Sequence, residues 1–129
     1  MLIKYMNDVK YSFNSYTMNQ VTLRLGVESI KDDAYFRETV EKIISTREHA
    51  KEVLGQMGFS FPDSKSNFLF ITHPEYQAKE LFEALKKEDI YVRYFSLPKI
   101  DNYLRVTIGT EAQMETFYEF LRTYADKER

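Results

Sequence analysis

The chain has 129 residues, 18 basic and 20 acidic, a net charge of −2, 43% hydrophobic residues and no cysteine. That length makes one domain with at most an appendage, with enough apolar residues for a core and no disulfides or thiolate metal sites. The mixed, slightly acidic charge argues against nucleic acid as a partner. With no run of about 18 apolar residues and no leader pattern, no membrane partner and a cytoplasmic location are expected.

Met1 to Lys10 reads as a helix with Leu2, Ile3, Met6 and Val9 on one side, too short to stand without a partner. Tyr11 to Tyr16 reads as an extended, aromatic connector. Ser15 or Thr17 is placed to cap a second helix that runs to about Ile30, and Lys31 to Asp33 form a turn and the next cap. From Ala34 to Met57, the residues Phe36, Val40, Ile43, Ile44, Ala50, Leu54 and Met57 recur at helical spacing, and Gly58 closes the helix. At about 35 Å such a helix is long for a small domain and suits a bridge between two bodies.

Phe59 to Ser66 predicts a short strand and turn, and Asn67 to His73 an apolar strand. Pro74 suits the first position of a helix over Glu75 to Lys87, with Ala78, Leu81, Phe82 and Leu85 facing one way. Ile90 to Phe95 and Tyr103 to Ile108 read as strands. Thr110 and Gln113 form a capping box that opens a last helix buried through Met114, Phe117, Leu121 and Tyr124, with a fraying tail over Asp126 to Arg129. The pattern predicts an α+β fold: a small antiparallel or mixed sheet of three to four strands with helices packed on one face.

Alternation along Leu104 to Ile108 puts Leu104, Val106 and Ile108 on one face and Arg105 and Thr107 on the other. If the two strands make a hairpin turning near Lys99, Arg93 lies opposite Arg105. Like charges directly across a ladder are destabilising unless an anion joins them. Two guanidinium forks suit a carboxylate or phosphate. The competing reading leaves both arginines solvated or paired with Glu88, Asp89 or Asp101.

Nothing else in the chain suggests chemistry. His49 and His73 lack partners at metal-ligand spacing, there is no glycine-rich phosphate loop, and Ser64 and Ser66 have no histidine in sight. No catalytic residue and no metal are expected. One organisation open to the chain is a free-standing ferredoxin-like β-α-β-β-α module that binds a small anionic ligand or a protein partner. It leaves the first 57 residues as an unexplained helical arm.

The segments "VKYSFNSYT", "AYFRETVEKIISTRE", "GFSFPDSKSNFLF", "IYVRYF" and "NYLRVTIGT" together resemble the C-terminal part of the histidinol-phosphate aminotransferase family. These are fold-type I, pyridoxal-phosphate-dependent enzymes, and the resemblance runs from about Ile3 to Tyr124. It implies transamination between histidinol phosphate and 2-oxoglutarate in histidine biosynthesis. It also implies a residual large-domain helix and interdomain connector over 1–30 and the small C-terminal domain over 31–129. Arg105 and Arg93 match the family's "LRITIGT" and "VR" arginines and would bind the anionic end of the substrate. Asn67, Asn14 and Tyr16 would lie around that region.

The resemblance implies pyridoxal phosphate in the full-length enzyme, a large aminotransferase domain as partner and a homodimer. The departure from the family is large. The Schiff-base lysine motif, the aspartate for the pyridine nitrogen and the residues that hold the cofactor phosphate have no match here. A fragment or truncated gene product with no bound cofactor and no activity of its own is therefore expected.

Overall fold

The computed structural model describes residues 2–12 and 18–127. Two compact units divide the chain, Met1–Glu38 and Thr39–Arg129.

The first unit contains α1 (Leu2–Ser12) and α2 (Gln20–Lys31). No residue of either helix is buried. Their apolar side chains stay open: Ile3 is 76% exposed and Ile30 83%. Two sequence expectations change here. Tyr11 and Ser12 extend α1 rather than opening a connector, and the Ser12 hydroxyl donates to the Val9 carbonyl at 3.3 Å. The cap of α2 is Asn19, whose side-chain oxygen accepts the Thr22 N–H at 2.9 Å. An Asn at that position satisfies an orphan N–H of the first turn, the role the sequence offered to Ser15 or Thr17. Those two residues, like Asn14 and Tyr16, lie outside the described residues.

The long helix α3 (Asp33–Gln56) starts where the sequence places it, with the Asp32 carboxylate accepting the Tyr35 N–H at 3.2 Å. It ends in a Schellman motif. Phe59 N–H donates to Leu54 O at 3.0 Å and Gly58 N–H to Gly55 O at 3.1 Å, while Gly58 takes φ +86°. A side chain at Gly58 would also meet the His73 ring, with Nε2 3.0 Å from an added Cβ. The buried face of α3 differs from the simple apolar stripe. Ala50 and Leu54 are buried together with Thr46 and Arg47, whereas Phe36 and Ile44 are 59% and 42% exposed.

The second unit adds β1 (Phe68–Ile71), α4 (Ala78–Lys87), β2 (Arg93–Tyr94), β3 (Leu104–Thr107) and α5 (Glu111–Lys127). The three strands form one sheet in the order β1-β3-β2, with both neighbouring pairs antiparallel. β1, α4 and β2 thus make a split crossover with β3 inserted between the two outer strands. Leu69, Ile71, Leu104 and Val106 fill one sheet face and are buried in a cluster with Ala50, Leu54, Leu81, Leu85, Phe117 and Leu121 from the three helices. Helices on a single face, as the alternation predicts, leave the other face open.

The strands are shorter than the sequence suggests. Phe59 to Ser66 supplies only an isolated bridge, Ser60 to Thr72. Pro74 does not start α4. The N-cap is Gln77, and the Ala78 N–H donates to the Asn102 side chain at 2.8 Å. Upstream, His73 Nδ1 accepts the Glu75 N–H at 3.2 Å and its ring stacks on Tyr76, so Pro74 to Tyr76 form a turn around the histidine. The capping box holds as read: Thr110 N–H donates to Gln113 Oε1 at 2.9 Å, and Gln113 N–H to Thr110 Oγ1 at 3.3 Å. α5 continues through Asp126 and Lys127, into the stretch read as a fraying tail. No helix among the described residues is long and apolar enough to cross a membrane.

Candidate anion site on the open sheet face

The hairpin register is the symmetric one. Arg93 pairs directly with Arg105, and Phe70 pairs with Arg105 from the other side. One row across the open face therefore reads Phe70, Arg105, Arg93. Lys99 takes the left-handed φ of +75° within the turn that reverses the chain.

Both arginines are exposed, and among the described residues neither makes an ion pair or hydrogen bond to a carboxylate. The acids that could have neutralised them do not. Asp89 instead accepts the Tyr91 hydroxyl at 3.2 Å, a bond that raises the Tyr91 phenol above its ordinary range. What the arginines do have is aromatic rings. The Arg93 guanidinium carbon lies 5.5 Å from the Phe95 ring centre, and that of Arg105 lies 6.0 Å from Phe95 and 5.4 Å from Phe68. Such contacts contribute about 0.5–1 kcal/mol each at exposed sites. They hold the cations in place without cancelling either charge, so the face keeps two unneutralised guanidinium groups side by side.

A slot of about 430 Å³ adjoins the row, lined by Phe61, Phe70, Lys99, Ile100 and Tyr103 among others. Phe70 and Tyr103 stack in it with centres 4.6 Å apart. Chemically, the surface can hold a carboxylate or phosphate through charge-assisted forks beside an aromatic floor.

Asn67 closes the end of the β1–β3 pair through its backbone, its carbonyl accepting the Ile108 N–H at 2.8 Å. Its place in the alternation is that of Leu69 and Ile71, and its side chain is exposed. The geometry thus brings Arg93 and Arg105 together. Phe95 and Phe68 were not singled out from the sequence, though Phe95 stands two residues from Arg93, at the spacing that shares a strand face.

A second cluster, between α3 and the segment that leads into β1, was missed altogether. Arg47, 5% exposed, donates through Nε and Nη2 to Glu48 Oε1 at 2.9 and 2.7 Å, and through Nη1 to the Ser66 carbonyl at 3.1 Å. Lys51 Nζ reaches Asp63 at 2.7 Å, both Glu48 oxygens at 3.1 Å and the Ser64 carbonyl at 3.1 Å. The sequence did carry a signal: Arg47 stands at i, i+3 and i+7 with Ala50 and Leu54, the buried stripe of α3.

This cluster shapes the response to acid. Hydrogen bonds from Arg47, then Lys51, hold Glu48 below its ordinary 4.5, and Lys51 holds Asp63 below its ordinary 3.8. Carboxylates depressed in the folded state stabilise it above those ordinary values and lose that contribution as pH falls through the lowered ones. The urea midpoint of the wild type is expected to drop between pH 7 and pH 3, and to drop less in Glu48→Gln. Equal losses in both proteins would show that the cluster does not govern acid stability.

The pattern of the family "Aminotransferase class I and II" matches residues 1–121. The histidinol-phosphate aminotransferase of Brachyspira hyodysenteriae is 49% identical over 121 residues, 94% of this chain and 34% of the relative. That of Clostridium botulinum strain Kyoto is 44% identical over 126 residues, 98% of this chain and 36% of the relative. The chain therefore spans about a third of the length of these curated relatives. Among solved structures, the histidinol-phosphate aminotransferase of Clostridium acetobutylicum superposes with a TM-score of 0.77 over 94% of this chain and 37% of its own, at 23% identity. At that identity the superposition speaks to the fold.

Proposed function

This chain belongs to the aminotransferase class I and II family, and on that premise we propose that it is the substrate-binding part of a histidinol-phosphate aminotransferase. Arg105 grips the anionic end of the substrate, and Arg93 assists from the neighbouring strand. The observation that carries this reading is the direct Arg93–Arg105 pairing on an open face, with no acid joined to either cation among the described residues. Glutamate and 2-oxoglutarate present a carboxylate and histidinol phosphate a phosphate. A site built from two permanently charged, bidentate donors serves both halves of a transamination. Asn67, Asn14 and Tyr16 belong to the surroundings of that site in this reading, with 1–30 as large-domain helix and connector and 31–129 as the small domain.

The family's cofactor is pyridoxal phosphate, and the residues described here do not fit it. The amine of the half-buried Lys51 is taken by Glu48, Asp63 and the Ser64 carbonyl, so it is not free to form a Schiff base. The Schiff-base lysine and the groups that hold the cofactor belong, in this reading, to a large domain that supplies the other two thirds of the enzyme. The open apolar faces of α1 and α2 favour such a partner, since exposed faces of that kind mark association surfaces. Assembly as a cytoplasmic homodimer is part of the same proposal.

The test is a chimera that joins this chain to the upstream two thirds of the Brachyspira relative. Transamination of histidinol phosphate with 2-oxoglutarate is expected to return. A folded chimera that binds pyridoxal phosphate yet ignores histidinol phosphate would refute the assignment.

A further inference from the structure

Arg47 is a buried cation on α3, bonded to the segment that leads into β1. Burying a guanidinium is costly and by itself weak support for stability. Its contacts indicate another use. Arg47 holds the Ser66 carbonyl and Lys51 the Ser64 carbonyl, so α3 grips two backbone oxygens of the segment that leads into β1. The Ser64 hydroxyl then donates to the Phe68 carbonyl at 2.6 Å and accepts the Ser66 N–H at 3.2 Å. Phe68 is the residue whose ring lies 5.4 Å from the Arg105 guanidinium, and it opposes Thr107 in the ladder. Hydrogen bonds thus tie α3 to Ser64 and Ser66, and Ser64 to the backbone of Phe68, whose ring lies beside Arg105.

We propose that Arg47, Lys51 and Ser64 are positioning residues for the anion site: they set where Phe68 sits, and Phe68 sets where the Arg105 fork points. This rests on the arginine pair being an anion site, as argued above. The chemistry is suited to the task. Arg47 and Lys51 are joined by one shared acid, Glu48, so both grips move together with α3. Ser64 is the relay, since it bonds both to its own turn and to the strand.

The test uses the 129-residue chain and three readouts: inorganic phosphate affinity, the Arg105 side-chain proton resonances and the urea midpoint. Arg105 over the Phe68 ring experiences that ring's magnetic shielding, so its resonances report the geometry with no ligand present. Ser64→Ala is expected to weaken phosphate binding by about threefold or more, the scale of one lost hydrogen bond. It is also expected to shift the Arg105 resonances toward those of an unstacked arginine, with a drop in the urea midpoint no larger than the loss of the two Ser64 hydrogen bonds explains. Ser64→Thr keeps the hydroxyl and is expected to restore both.

Arg47→Met is expected to act in the same direction; if it does not fold, Ser64→Ala and Ser64→Thr decide. Unchanged Arg105 resonances in Ser64→Ala overturn the proposal, whatever happens to stability. Failure of the wild-type chain to bind phosphate strikes the anion reading instead, and the Arg105 resonances still decide whether the relay exists.

Discussion

Arg105→Ala in the complete aminotransferase is expected to lower kcat/KM for histidinol phosphate by about 10²- to 10⁴-fold. Two charge-assisted hydrogen bonds at about 1.5–3 kcal/mol each are lost together, and each 1.4 kcal/mol is about tenfold. The fold should not suffer. The side chain is exposed, stands opposite a like charge and is tied to no acid among the described residues. Removing it gives up ring contacts of about 0.5–1 kcal/mol each with Phe68 and Phe95 but relieves repulsion across the ladder, so the net change should stay within about 1 kcal/mol.

Arg105→Lys is expected to recover little, because a single ammonium cannot reproduce the bidentate fork. Arg93→Ala should cost less than Arg105→Ala, since Arg93 sits on a two-residue edge strand and is proposed only as the assisting donor. Turnover close to wild type in Arg105→Ala, with unchanged melting, would remove the arginine pair from the substrate's path.

The largest stability effect is expected at Leu54. Its side chain is fully buried at the meeting of α3, the sheet and Phe59, while its carbonyl closes the Schellman motif. Leu54→Ala keeps the backbone bond but leaves a cavity, for a loss of about 2–5 kcal/mol. In a unit of this size that lowers the melting temperature by roughly 10 °C or more. Ile44→Ala is the matched control. It lies on the same helix, in the same apolar spacing, but is 42% exposed, and its cost should stay near 0.5 kcal/mol or below. Equal melting shifts in the two variants would contradict the burial pattern of α3.

That pair of residues also shows what the chain's letters reveal and what they hide. Two-residue alternation through Leu104, Arg105 and Val106 marks the covered and open faces unambiguously, and the symmetric hairpin follows from strand spacing and the turn at Lys99. The Gly58 stop and the Thr110–Gln113 box are local chemistry, readable within a few residues.

Helical periodicity is different. It names a stripe but not whether a partner lies against it, so Ile44 and Leu54 look alike until the sheet is in place. Arg47 was hidden for the converse reason, since a cation on a core stripe is buried only because Glu48 and the Ser66 carbonyl receive it. The start of α4 was set by Asn102, 24 positions from Ala78, and by the His73 turn rather than by Pro74. In the candidate site, the paired arginines were legible, whereas their aromatic floor depended on the folded register.

No residue of α1 or α2 is buried, while every core residue lies between Ala50 and Leu121. The heat-capacity step on melting tracks apolar surface newly exposed to water. A calorimetric trace of the isolated chain is therefore expected to carry the heat-capacity step of its second unit almost alone. Per residue, that step should fall short of the step of an ordinary globular protein of 129 residues.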